Sequence, residues 1–136
     1  MSSFHEDAQL RIADLGSAFK LDSAEGKSRF QIGTPGYMAP EILTGVAYSF
    51  SCDIWSIGAL MLVLLTASLP FWDENRRERK RRVCSEVLDL EVDENSRKIS
   101  PEAKDLLTGM LTKDMGKRLT INQVLIHPWF ASTSTQ

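Results

Sequence analysis

The sequence predicts a mainly α fold with one short strand near its start. Three observations carry that prediction. Ile54 to Trp72 form nineteen consecutive uncharged residues, enough for several helical turns. Ser100-Pro101-Glu102 and Thr120 are helix-start signals, each followed by apolar residues at helical spacing. Only residues 9–13 alternate polar and apolar in the manner of a half-buried strand.

Taken in order, the strand over residues 9–13 ends at Asp14-Leu15-Gly16. Residues 17–32 show neither period and read as a loop, long enough to suggest a function. Residues 33–41, GTPGYMAPE, are dense in Gly and Pro and read as turn. Pro40 suits the first position of a short helix, expected over 41–43. Ser51 is a fair N-cap for a helix over 52–67 that is apolar almost all round and needs cover on every side. Pro70 ends it. A charged helix is expected over 74–88, then a polar connection over 91–98. Ser100 as N-cap, Pro101 behind it and Glu102 near the dipole open the next helix, with Leu106, Leu107, Met110 and Leu111 as its apolar stripe. Thr120 opens a last helix bearing Ile121, Val124 and Leu125, closed by His127-Pro128. Residues 131–136 read as a disordered tail.

Composition narrows the function classes. The chain has 136 residues, 43% apolar and 25% charged, with 16 Lys+Arg against 18 Asp+Glu and a formal net charge of −2. That length suits one domain, and the balance lacks the basic excess of a nucleic-acid binder. Cys52 and Cys84 stand apart with no C-x-x-C, so neither a disulfide framework nor a cysteine zinc site is expected. Reduced thiols point to an intracellular setting, cytoplasmic or nuclear. The first residues have no basic and apolar pattern of a signal peptide. The uncharged run has the length of a membrane span, but Ser56, Thr66, Ser68 and Pro70 dilute it and the span leaves the motifs below unexplained; no membrane partner is expected. Six of the seven residues from Arg76 to Arg82 are basic. On a helix they read as a solvated face rather than a nucleic-acid patch. His5 and His127 have no partner motif and are not metal or catalytic candidates.

The segment Gly33-Thr34-Pro35-Gly36-Tyr37-Met38-Ala39-Pro40-Glu41 resembles the end of a protein-kinase activation segment, with its Ala-Pro-Glu signature. Asp14-Leu15-Gly16 falls where that family carries Asp-Phe-Gly. Asp53, Trp55 and Gly58 resemble the start of its large central helix, and Lys117-Arg118 through His127-Pro128-Trp129-Phe130 resembles the end of its domain. The order and spacing of these features make the resemblance specific over residues 1–130. The Gly-Thr-Pro-Gly-Tyr form and Leu69-Pro70-Phe71-Trp72 look most like the calcium/calmodulin-dependent group of Ser/Thr kinases.

The resemblance implies the helical C-terminal lobe of the kinase fold, ATP-dependent phosphorylation of protein Ser/Thr, Mg²⁺ and ATP as cofactors, and a protein substrate or regulator as partner. Phosphoryl transfer needs a carboxylate to hold the metal between the phosphates, and by resemblance that is Asp14, with Leu15 in place of Phe and Gly16 giving backbone freedom. Residues 17–32 become the activation loop, with Ser23 and Ser28 as possible phosphate acceptors; Phe30 stands where many relatives carry a regulatory Thr. Thr34 is expected beside the acceptor hydroxyl, and Gly36-Tyr37 beneath the residue after it. Glu41 and Arg118 are expected to pair. Asp53 corresponds to a carboxylate that accepts backbone hydrogen bonds from the catalytic loop.

Other kinase parts are not found in these residues. There is no Gly-rich phosphate loop, no strand Lys, and no His-Arg-Asp catalytic loop with its Asn. His5-Glu6-Asp7 fails as one, because Ile12 stands where the Asn belongs and Asp7 lies too near Asp14. The expectation is therefore a truncated kinase domain without general base or ATP-binding lobe, inactive alone. The alternative is a non-catalytic kinase-like binding or scaffold module.

Overall fold

A computed structural model describes residues 11–21, 26–91 and 94–132. The chain is mainly helical, with α1 Pro40–Thr44, α2 Ser51–Thr66, α3 Arg76–Ser85, α4 Glu94–Arg97, α5 Pro101–Met110, α6 Ile121–Leu125 and α7 Pro128–Ser132. A 3-10 turn, Leu15–Ser17, precedes them. The expected strand is corrected: Gln9 and Leu10 lie outside the described residues, and residues 11–13 are irregular, with Ile12 93% exposed. A strand needs a partner for its amide groups, and none pairs with 11–13 among the described residues. The β pairing that is described is one bridge between Ser28 and Tyr48.

Local signals set most boundaries. Ser100 Oγ accepts from the Ala103 N–H at 3.2 Å, and Thr120 forms a capping box with Gln123. The charged helix is shorter than 74–88 because Asn75 caps it: its Oδ1 accepts from the Arg77 and Glu78 N–H groups at 2.9 and 3.3 Å. His127-Pro128 does not simply end the helical part. Pro128 opens α7, which takes in Ala131 and Ser132 from the expected tail. Helix α2 has no side-chain N-cap bond, with Phe50 rather than Ser51 at the cap position. It ends at Ala67, whose φ of 59° is left-handed, before Pro70 is reached.

The core gathers around α2, which packs on α5 and α4, while α1 meets α3 and α5 meets α7. Cys52, Trp55, Ala59, Leu62 and Thr66 are buried at helical spacing and most of this row joins Ala39, Ile42, Tyr48, Phe71, Val83 and Leu107. Ile54 points to a second cluster with Leu106, Met110 and Val124. Gly58 allows close approach here, since a Cβ would stand 2.9 Å from Met110 Cβ. Cover on α2 is therefore two-sided. Ile57, Leu60 and Leu64 stay exposed, Leu64 at 77%, in a row with Asp53. No helix among the described residues is long and apolar enough to cross a membrane.

Candidate functional site

The site is organised by the run from Gly33 to Glu41. Gly33 has a φ of 135°, a conformation that side chains disfavour. A tight turn follows, in which the Tyr37 N–H donates to the Thr34 carbonyl at 2.9 Å; Pro35 at its second position is pre-set for such a turn. Tyr37 is then tied to α2, because Ser56 Oγ donates to its carbonyl at 2.9 Å. Ala39 is fully buried and Pro40 opens α1.

Glu41 and Arg118 meet behind this run. Arg118 Nη1 donates to Glu41 Oε1 at 2.6 Å and Nη2 to Oε2 at 2.9 Å, and each residue is 4% exposed. The same guanidinium donates to the carbonyls of Ser51 at 2.9 Å, Thr112 at 2.8 Å and Lys113 at 3.3 Å. All its N–H groups thus have acceptors, and it lies 5.2 Å from the Trp55 ring. Trp55 stacks on Phe71 at 6.0 Å, and Phe71 has a left-handed φ of 56°. Lys113 completes the cluster. Its Nζ sits 3.7 Å from the Phe71 ring centre and donates to the Val83 carbonyl at 2.6 Å. Burial pulls the Lys113 ammonium down to about 8.

In front of the clamp lies a hollow of about 140 Å³ onto which Gly33, Thr34, Tyr37 and Asp53 open, with Cys52 and Ser56 in its wall. Thr34 and Asp53 are exposed there. The Cys52 thiol is pushed up to about 12, first by burial and then by the nearby Asp53 and Glu41 carboxylates. It stays protonated at neutral pH and is no nucleophile.

Asp14, Leu15 and Gly16 are not brought into this hollow. They form an exposed turn in which Asp14 has a φ of 59° and its Oδ1 accepts from the Gly16 N–H at 3.4 Å. Gly16 is thus not the residue with positive φ. No cation pairs with Asp14, and no group of three potential metal ligands occurs, among the described residues. A single exposed carboxylate suits a Mg²⁺ that takes its remaining oxygens from phosphates and water. It does not suit an all-protein metal cage.

The expected activation loop is described in part. Ser23 lies outside the described residues. Ser28 is buried, exchanges backbone hydrogen bonds of 2.8 and 2.9 Å with Tyr48, and its Oγ accepts from the Phe30 N–H at 3.2 Å. Phe30 is held by Tyr48, whose hydroxyl donates to the Phe30 carbonyl at 2.5 Å, and Phe19 stands edge-on to both rings.

Sequence reasoning missed Tyr48, Ser56 and Lys113. Tyr48 carries no motif, Ser56 lies in the run 53–58 but its bond to the Tyr37 carbonyl is not readable from that run, and Lys113 sits in a charged stretch that looks solvated. A comparison with protein families bears on the whole arrangement. The family model for the protein kinase domain matches residues 3–130, nearly the entire sequence. The chain belongs to the protein kinase domain family.

Proposed function

We infer that residues 33–41 are the substrate platform of a Ser/Thr protein kinase, and that this chain supplies the activation segment and the helical lower lobe around it. The single observation that carries the reading is the buried Glu41–Arg118 clamp, which with Ser56 fixes the Thr34–Tyr37 turn on α2. Phosphoryl transfer depends on positioning, and a platform tied at two points can hold an acceptor hydroxyl in place. Thr34 is the residue we take to face that hydroxyl; its exposure at the hollow that Asp53 also lines supports the reading. The Gly-Thr-Pro-Gly-Tyr form supports Ser/Thr acceptors and the calcium/calmodulin-dependent group.

Asp14 is the residue that would hold Mg²⁺. When bound, the metal supplies charge neutralisation between the phosphates of ATP. This chain's own part is to present the Asp14 carboxylate at the open end of the segment and the platform at the other. Ser23 and Ser28 are the candidate phosphate acceptors of the loop, with Ser28 buried in the conformation described. The domain reading is a kinase portion over residues 1–130, with α7 running on to Ser132.

These 136 residues contain neither a general base nor a phosphate-binding Lys, so they are expected to be inactive on their own. Incubation with Mg·ATP and a Ser/Thr peptide should give no phosphopeptide. Turnover that vanishes in Asp14→Ala would contradict that.

A further inference from the structure

A groove of about 450 Å³ runs between α1 with the segment before it and the exposed side of α3. Gln31, Gly33, Pro35, Met38 and Leu43 line one side, and Arg76, Arg77, Arg79 and Lys80 line the other. Its volume falls in the range of ligand clefts. Four of its nine lining residues are cations and none is an acid.

The charge accounting on α3 separates these cations from their neighbours. Glu78 is taken by Arg81 at 2.5 Å, and Glu86 by Arg82 at 2.9 Å. Arg79 turns to the Asp73 carbonyl at 2.9 Å and stacks 4.0 Å from the Trp72 ring centre. Arg76, Arg77 and Lys80 have no carboxylate partner among the described residues, and all three are exposed. Their placement is unfavourable for the helix itself. Arg76 and Arg77 occupy its first turn, where the dipole favours anions. Arg76 with Lys80, and Arg77 with Lys80, are like-charge neighbours at helical spacing. An anion in the groove would relieve both.

We propose that this groove binds an acidic segment of a protein, a peptide whose Asp and Glu carboxylates meet Arg76, Arg77 and Lys80 while its apolar atoms lie on Pro35, Met38 and Leu43. A peptide fits better than a nucleic acid or a membrane, because the basic wall faces a concave floor with the apolar side chains of Pro35, Met38 and Leu43, which suit side chains of a peptide rather than a phosphate backbone or a flat headgroup surface. Because Gly33, Pro35 and Met38 belong to the run read as the platform, the segment would lie on one edge of it and the inference names its chemistry; in that sense it rests on the reading of residues 33–41 given above.

The test is fluorescence anisotropy on the whole 136-residue chain, using a labelled peptide of alternating Glu and Leu. The comparison probes are the same peptide with Gln for Glu, a phosphoserine peptide, a poly-U oligonucleotide and vesicles rich in anionic lipid. The Glu peptide is expected to bind, more weakly as salt rises, and the Gln peptide not to. Arg77→Glu with Lys80→Glu should weaken binding by at least about tenfold, whereas Lys98→Glu with Lys117→Glu, an equal change of net charge, should not. Circular dichroism on each variant keeps a folding defect from passing as a binding one. Equal losses in both variants, no binding of the Glu peptide, or tighter binding to poly-U, the vesicles or the phosphoserine peptide would overturn the proposal. No phosphoryl transfer is read, so a failed groove leaves the kinase reading standing, and an inert kinase leaves the groove standing.

Discussion

Arg118 closes on Glu41 through two parallel hydrogen bonds of 2.6 and 2.9 Å, joining positions 77 residues apart with neither side chain open to solvent. Two consequences follow for stability. Removing one partner leaves a buried charge uncompensated, at about 3–5 kcal/mol. Arg118→Met should therefore destabilise the chain by about that much in urea melts. Adding Glu41→Gln to Arg118→Met should recover part of the loss, giving a coupling of about 0.5–3 kcal/mol. Additive losses in the double variant would mean that the two side chains do not depend on each other.

Ala67 ends α2 at a φ of 59° and is exposed. A non-glycine residue there costs about 1–2 kcal/mol, and glycine is the usual occupant. Ala67→Gly should raise stability by roughly 1 kcal/mol in the same melts. A lower midpoint would show that the helix does not end as described.

How much of this was legible beforehand differs from residue to residue. The starts at Ser100 and Thr120 are readable because a cap is a local event, settled within three residues. Asn75 is an equally local signal, a capping residue just before the first helical one, and Pro128 suits the first position of a helix as well as the end of one. Glu41 and Arg118 lie too far apart for any period to link them; their pairing was visible only through the motif each belongs to. Lys113 was not visible at all, since only the folded chain brings its ammonium over Phe71. The strand over 9–13 was read from alternation, but alternation supplies no partner for the backbone.

Lys113 also gives a pH dependence. Its folded value is about 8 against an ordinary 10.5, because burial disfavours the charge. Between those pH values the unfolded chain holds the proton that the folded chain has released, so stability rises with pH. The Cys52 thiol acts oppositely: above pH 9.0 the unfolded chain loses a proton that the folded chain keeps up to about 12. The difference between the parent and Lys113→Met cancels the thiol effect. That difference should grow in the parent's favour from pH 8 to 10.5, and a flat difference would refute the assignment.

Ile57, Leu60 and Leu64 form an exposed apolar row on α2. Surfaces of this kind promote association. The chain should bind a hydrophobic dye and self-associate at raised concentration. Leu60→Lys with Leu64→Lys should lower both effects while changing stability by no more than about 0.5 kcal/mol per site. A parent that is monomeric and binds no dye would show that this row is covered.

The proposed role of these residues as activation segment and substrate platform of a Ser/Thr kinase can be tested within an active enzyme. The most direct measurement places residues 11–130 in the corresponding stretch of an active calcium/calmodulin-dependent kinase and follows phosphate transfer to paired Ser and Tyr peptides. The chimera is expected to phosphorylate the Ser peptide over the Tyr peptide. Asp14→Ala should lower its rate by at least about 100-fold, since a metal-held charge is worth several kcal/mol. A folded chimera that transfers no phosphate, prefers Tyr, or keeps its rate without the Asp14 carboxylate would contradict it.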